Sequence, residues 1–177
     1  TGVSVTVDTV APNSLAIVSI VERNSGGINA VELADGTPIQ VDLFGTAALA
    51  GDTVTVTWGS QIVTYTLLAS DIAAGLATVS VPAATITAQG DGTFAVVAKL
   101  TDIAGNVSAN SPAFAVTVDT VAPGAPAITS IIENGDGGIS AADVFGGTPV
   151  VVSLAGTGAL ADDILTLFWG GETISLM

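Results

Sequence analysis

Short apolar runs alternating with polar positions, turn-forming residues between the runs, and an internal repeat of 111 residues together predict an all-β fold. The class is an antiparallel immunoglobulin-like β-sandwich arranged as a tandem repeat, with its second copy truncated. Successive side chains of a strand point to opposite faces, so strict alternation marks one buried face and one wet face. No convincing amphipathic helix is expected, and Ser70–Gly75 has room for a single helical turn at most.

Seven strands are expected in one copy. Strand A occupies about 15–21. It follows Pro12, whose ring fixes φ and which has no N–H, so pairing with anything upstream stops there. Strand B covers 37–44, with Ile39, Val41 and Leu43 alternating with Gln40 and Asp42. Strand C covers 53–58, where Val54, Val56 and Trp58 alternate with Thr53, Thr55 and Thr57, and C′ covers 61–67. Strand E spans 76–81. Strand F spans 93–101, setting Phe94, Val96, Ala98 and Leu100 against Ala95, Val97 and Lys99; strand G spans 111–118. Gly26-Gly27, Asp35-Gly36, Gly59-Ser60, Asp91-Gly92 and Gly105-Asn106 fall between the runs and supply residues that tolerate positive φ. Trp58 lies on the strand where such sandwiches bury theirs.

The repeat is explicit. Val5-Thr6-Val7-Asp8-Thr9-Val10-Ala11-Pro12 recurs unchanged as Val116-Thr117-Val118-Asp119-Thr120-Val121-Ala122-Pro123, and the offset runs without a gap to Trp58-Gly59 and Trp169-Gly170. About half of the overlapping positions are identical, more than β segments of similar composition share by chance. Residues 1–8 therefore read as the last strand of a preceding repeat, 9–118 as a complete repeat and 119–177 as a truncated one, with both ends cut from something longer and no signal peptide at the start. The truncated copy, a partial sandwich, is expected to be poorly stable alone.

Composition excludes several functions. Arg23 and Lys99 are the only basic side chains against sixteen carboxylates, for a net charge of -14. Nucleic-acid binding, which depends on Lys and Arg, is excluded, and docking on anionic lipid is disfavoured. No apolar run is long enough to span a membrane. Cysteine and histidine are both absent, removing disulfides, thiolate chemistry, soft-metal sites and the commonest general base. Paired carboxylates can hydrolyse glycosides, but Trp58 and Trp169 sit in phase with core residues rather than as sugar platforms. No catalytic residue, cofactor site or small-molecule substrate is assigned. Asn106-Val107-Ser108 matches a glycosylation acceptor, although the turn explains the Asn better.

Antiparallel topology sorts the acids between the two ends of the sandwich. Asp8, Asp52, Asp102 and Asn106 belong to the end where the linker leads in; Glu22, Glu32, Asp35 and Asp91 belong to the other, which the next linker, with Asp119, and the next B–C loop, with Asp162 and Asp163, also face. Glu133 and Asp143 complete the candidate set. Converging carboxylates repel one another unless a hard cation intervenes. Calcium takes six to eight oxygen ligands from such groups, so a Ca2+ site at each domain junction is one reading. The other is that these are solvated charges that keep an apolar chain soluble.

At Asp8-Thr9-Val10-Ala11-Pro12, together with Leu100-Thr101-Asp102-Ile103-Ala104-Gly105-Asn106-Val107-Ser108, the chain resembles the tandem bacterial Ig-like repeats of giant adhesins, including the extender regions of repeats-in-toxin and biofilm-associated proteins. The resemblance implies a secreted, cell-surface rod of near-identical sandwiches, stiffened by calcium at its linkers and projecting a distal ligand-binding region. It also implies that Asp8 and Asp119 are linker ligands, with Asp102 and Asn106 in the adjoining turn. The partners would be neighbouring repeats of the same chain. An adhesive domain that itself contacts a ligand, and an accessory domain of a secreted enzyme, are the alternatives. The first would favour exposed aromatics, of which there are few; the second needs a catalytic domain elsewhere.

Overall fold

A computed structural model describes residues 3, 6–22, 27–132, 138–161 and 163–177. It divides into two compact units, Thr1–Val121 and Ala122–Met177. The first contains β1 (Ala16–Ile20), β2 (Thr37–Asp42), β3 (Thr53–Trp58), β4 (Gln61–Thr66), α1 (Ala69–Ala74), β5 (Leu76–Val81), α2 (Ala83–Gln89), β6 (Gly92–Thr101) and β7 (Phe114–Val118), with a 3-10 turn at Glu32–Asp35.

These strands form two antiparallel sheets, ordered β1-β2-β5 and β4-β3-β6-β7. Register places the alternating apolar residues side by side. Val54, Val56 and Trp58 of β3 stand opposite Leu100, Ala98 and Val96 of β6; Ile39 and Val41 of β2 stand opposite Val79 and Ala77 of β5. All are buried, and the two inner faces close one core with Leu15, Ile20, Ile28, Leu43, Leu67, Ile86, Val116 and Val118. A slip of one residue would turn each apolar row to solvent, which is why the alternation fixes the register. The unit is an immunoglobulin-like β-sandwich.

Three expectations need correcting. The last strand begins at Phe114, not at 111. Pro112 offers no N–H, and the chain over 108–111 instead pairs with β6 through serine hydroxyls as well as main chain: Leu100 N donates to Ser108 Oγ and Ala98 N to Ser111 Oγ, both at 2.9 Å. Helix α1 has six residues, more than one turn. It is opened by the Asp71 carboxylate, which accepts from Leu68 N at 2.8 Å, and closed by Gly75 at φ 66. Helix α2 was not expected. It starts after Pro82, which has the φ of a helix start but lacks the donor a strand requires, and buries only Ile86, so it leaves no apolar stripe in the sequence.

The second unit contains β8 (Ala127–Ile131), α3 (Ala141–Val144), β9 (Val150–Ser153), β10 (Leu165–Trp169) and β11 (Glu172–Leu176), paired as β8–β9 and β10–β11. Its registers repeat those of the first unit, down to the irregularity at Ile128/Ser130 that matches Ile17/Ser19. Trp58 is 1% exposed whereas its counterpart Trp169 is 40% exposed.

Near the start, residues 3 and 6–8 lie outside any strand. Among the described residues no helix is long and apolar enough to cross a membrane.

Candidate functional site

Several of the acids lie in the two linkers and the loops that grip them. Aspartate beside small and β-branched residues folds back on its own backbone, its carboxylate accepting from an amide two residues on. Val10 N donates to Asp8 Oδ1 at 3.0 Å, and Val121 N donates to Asp119 Oδ1 at 3.0 Å. The identical linker sequences therefore adopt the same turn, each spending one carboxylate oxygen on it.

The incoming linker is fastened at one end of the sandwich. Asn106 Nδ2 donates to the main-chain oxygen of Asp8 at 3.2 Å and to Asp102 Oδ2 at 2.8 Å, while Asn106 N donates to Asp102 Oδ1 at 2.7 Å. These bonds hold the Asp102 carboxyl below its ordinary value, the Asn106 side chain being the main cause and the turn amides adding to it. Further along, Asn13 N donates to Thr46 O at 3.0 Å and Asn13 Nδ2 to Gly45 O at 2.9 Å.

Asp52 braces this same end from inside. It is 2% exposed; Oδ2 accepts from Leu49 N at 2.8 Å and Oδ1 from Ile103 N at 3.2 Å, joining the loop before β3 to the turn after β6. The grouping of Asp8, Asp52, Asp102 and Asn106 at one end thus has a bonded counterpart in the structure. A set of amide donors offsets part of the charge there.

At the opposite end the outgoing linker is held as well. Asp91 accepts from Thr120 N at 3.2 Å and from Thr120 Oγ1 at 2.9 Å, and Asp119 N donates to Ile28 O at 3.0 Å. Glu32 Oε2 accepts from Asn29 N at 3.0 Å, while Asn29 Oδ1 accepts from the amides of Val31 and Glu32, a reciprocal cap on the 3-10 turn that Asp35 ends. Glu22 has a buried Oε2 with no hydrogen-bond partner among the described residues. Asn13, Thr120, Ser108 and Ser111 are linker- or turn-holding residues that sequence reasoning missed. Asn13 directly after Pro12 and Asp91 before Gly92 are the signals that could have found two of these ties.

In the second unit Asp163 Oδ2 accepts from Leu160 N at 2.8 Å, repeating the Asp52 bond to Leu49, and Ser140 and Asp143 repeat the cap of Asn29 and Glu32. The Ser140 hydroxyl, then its amide, hold the Asp143 carboxyl below the usual range. Glu133 and Asp162 lie outside the described residues. Among the described residues no three acidic side chains gather closely enough to hold a metal ion by themselves. A hard cation there would have to draw on main-chain carbonyls as well. The linker carboxylates suit that donor set, since Asp8 and Asp119 each keep an oxygen outside the turn bond, whereas Asp52 is enclosed with both oxygens on amides.

A comparison with curated proteins returns no match. Among solved structures, the chain is similar to part of a 1.5-MDa bacterial ice-binding adhesin involved in host cell surface retention, with 26% identity over 95% of this chain and 51% of that one, at a TM-score of 0.46. A bacterial immunoglobulin-like domain from the M. primoryensis ice-binding adhesin matches at 25% identity over 63% of this chain and 100% of its own, at a TM-score of 0.38. A Ca2+-stabilized adhesin that helps an Antarctic bacterium bind ice matches at 27% identity over 70% of this chain and 28% of that one, with a TM-score of 0.40. The chain thus spans about half the length of the first and little more than a quarter of the third. Residues 37–120 match the family model for the bacterial Ig-like domain, a span that runs from β2 through β7 to Thr120. The sandwich of the first unit is thus similar, from β2 through β7, to a bacterial Ig-like domain.

Proposed function

We propose that the chain is a structural extender segment of a large bacterial surface adhesin, outside the cell, where tandem sandwiches space a distal binding region from the surface. The observation that carries this reading is that the linkers are bonded to the sandwich at both ends: Asn106 Nδ2 to Asp8 O where the chain leads in, and Thr120 to Asp91 where it leads out. A joint whose backbone is fixed at its roots retains little orientational freedom, which is what a spacer requires and a catalyst or flexible tether does not. The linker motif and the Leu100–Ser108 segment that resemble adhesin extenders take part in these ties. The reading assigns no catalysis, and the partners are neighbouring repeats.

Calcium belongs to the same proposal. Asp8 and Asp119, with the adjoining Asp102 and Asn106, would hold it, and the ion would supply the counter-charge that a chain with two basic residues lacks. Glu22, Glu32, Asp35, Asp91, Glu133, Asp143 and Asp163 remain candidate ligands of that proposal from the other loops. Small-angle scattering of the chain with calcium and with chelator tests it, alongside calorimetric titration. The expected result is heat of binding and a longer, narrower distance distribution with the ion. No binding heat and identical distributions would remove calcium from the account.

A further inference from the structure

Ile28 belongs to no strand of either sheet, yet it is 0% exposed. Its N–H donates to Thr117 O at 2.9 Å and its carbonyl accepts from Asp119 N at 3.0 Å, a parallel bridge against Val118. β7 is therefore bonded on both edges, antiparallel to β6 from Gly92↔Val118 to Val96↔Phe114 and parallel to Ile28. The fit is close: a Cβ on the neighbouring Gly27 would lie 3.2 Å from Thr117 O. Ile28 is in turn tied down from the other side, since the next residue, Asn29, caps the 3-10 turn at Glu32–Asp35, which buries Leu33.

This arrangement has a direction. The incoming linker is fastened beside the β2–β3 loop and the β6–β7 turn; β7 starts at that turn and runs to the opposite end, where the chain leaves through Asp119 and Thr120. Tension along the chain pulls β7 along its own axis, and ladder bonds lie across that axis. The bonds to β6 and to Ile28 are then loaded together in shear rather than opened one after another.

We propose that Ile28, with Thr117–Asp119, is a mechanical latch that sets the load at which the first unit gives way, and that the Asp91–Thr120 pair is the outer contact that yields first. Its use in the cell rests on the extender reading. The latch itself is tested without it, so failure of this inference leaves the scattering test of that reading untouched.

The test holds the whole chain by its two ends in optical tweezers and measures the unfolding rate of the first unit at fixed load. Ile28→Ala keeps both main-chain bonds but empties the buried slot that anchors them; Val79→Ala empties a comparable site on β5, away from the pulled strand. Ile28→Ala is expected to unfold about tenfold faster or more under load, and Val79→Ala less than about threefold, when rates are compared at matched loss of stability in urea. Thr120→Val, an outer substitution that leaves the core intact, removes the hydroxyl bond to Asp91 and is expected to accelerate unfolding about threefold. Equal acceleration by Ile28→Ala and Val79→Ala would overturn the latch. If Ile28→Ala does not fold, an unchanged rate in Thr120→Val would overturn it.

Discussion

The side-chain amide of Asn106 reaches across 98 positions of sequence to the main-chain oxygen of Asp8, joining the turn after β6 to a linker that is otherwise exposed. Asn106→Ala removes this bond and the 2.8 Å bond to Asp102 while leaving the turn amide in place. The expected loss is about 1–2 kcal/mol in urea unfolding. Hydrogen exchange at the Val10 amide should accelerate, because the turn that protects it loses its anchor.

Asp52 carries more of the stability because it is enclosed. Asp52→Ala leaves the Leu49 and Ile103 amides without their acceptors in a dry setting, and a cost of about 2–3 kcal/mol is expected. Asp8→Ala, at an exposed position with a single turn bond, should cost under about 1 kcal/mol. Chemical denaturation of both variants in chelator checks the order, and a reversal would mean that the buried carboxylate is not a brace.

Two groups give the first unit a defined pH response. Tyr65 donates to Asp71 Oδ2 at 2.9 Å, and this bond, then burial and the carboxylate charge, push the phenol above its ordinary 10.0. Its contribution is complete below pH 10.0 and is lost as pH rises through the raised pKa, so Tyr65→Phe should flatten the alkaline limb of a stability curve. Asp102 works in the opposite sense: its contribution is present above 3.8 and is lost as pH falls through the lowered pKa. Asn106→Ala should shift that acid limb toward 3.8, as read by NMR titration of the Asp102 carboxyl.

Gly36 and Gly75 both have positive φ, 84 and 66, but different surroundings. A Cβ on Gly36 would lie 2.7 Å from Val81 O, which belongs to β5 and cannot swing aside, whereas nothing lies within 4 Å of one on Gly75. Gly75→Ala should cost about 1 kcal/mol, the strain of the left-handed backbone alone, and Gly36→Ala at least about twice that. Thermal melts of the two variants decide it.

Strand positions were legible because the two-residue period and the burial agree at nearly every step, from Ile39 and Val41 to Val96, Ala98 and Leu100. Helix α2 was not, because a helix that buries Ile86 alone writes no period into the sequence. The gathering of Asp8, Asp52, Asp102 and Asn106 at one end could be read from topology. Their bonding could not, since whether a carboxylate meets an amide or another carboxylate is settled by the local geometry of each turn. The Ile28 bridge left no mark for the same reason: its two bonds are made by main-chain atoms that every residue carries.

The repeat places the chain's two tryptophans, Trp58 and Trp169, at equivalent positions in surroundings that differ sharply. Trp58 is enclosed, and its indole N–H has no hydrogen-bond partner among the described residues, so its fluorescence belongs at the blue end of the range and out of reach of aqueous quenchers. Trp169 meets solvent, and its emission should be redder and readily quenched. One sample therefore carries two spectrally separable lamps, one in each copy of the repeat, and melting can be followed copy by copy without any added dye.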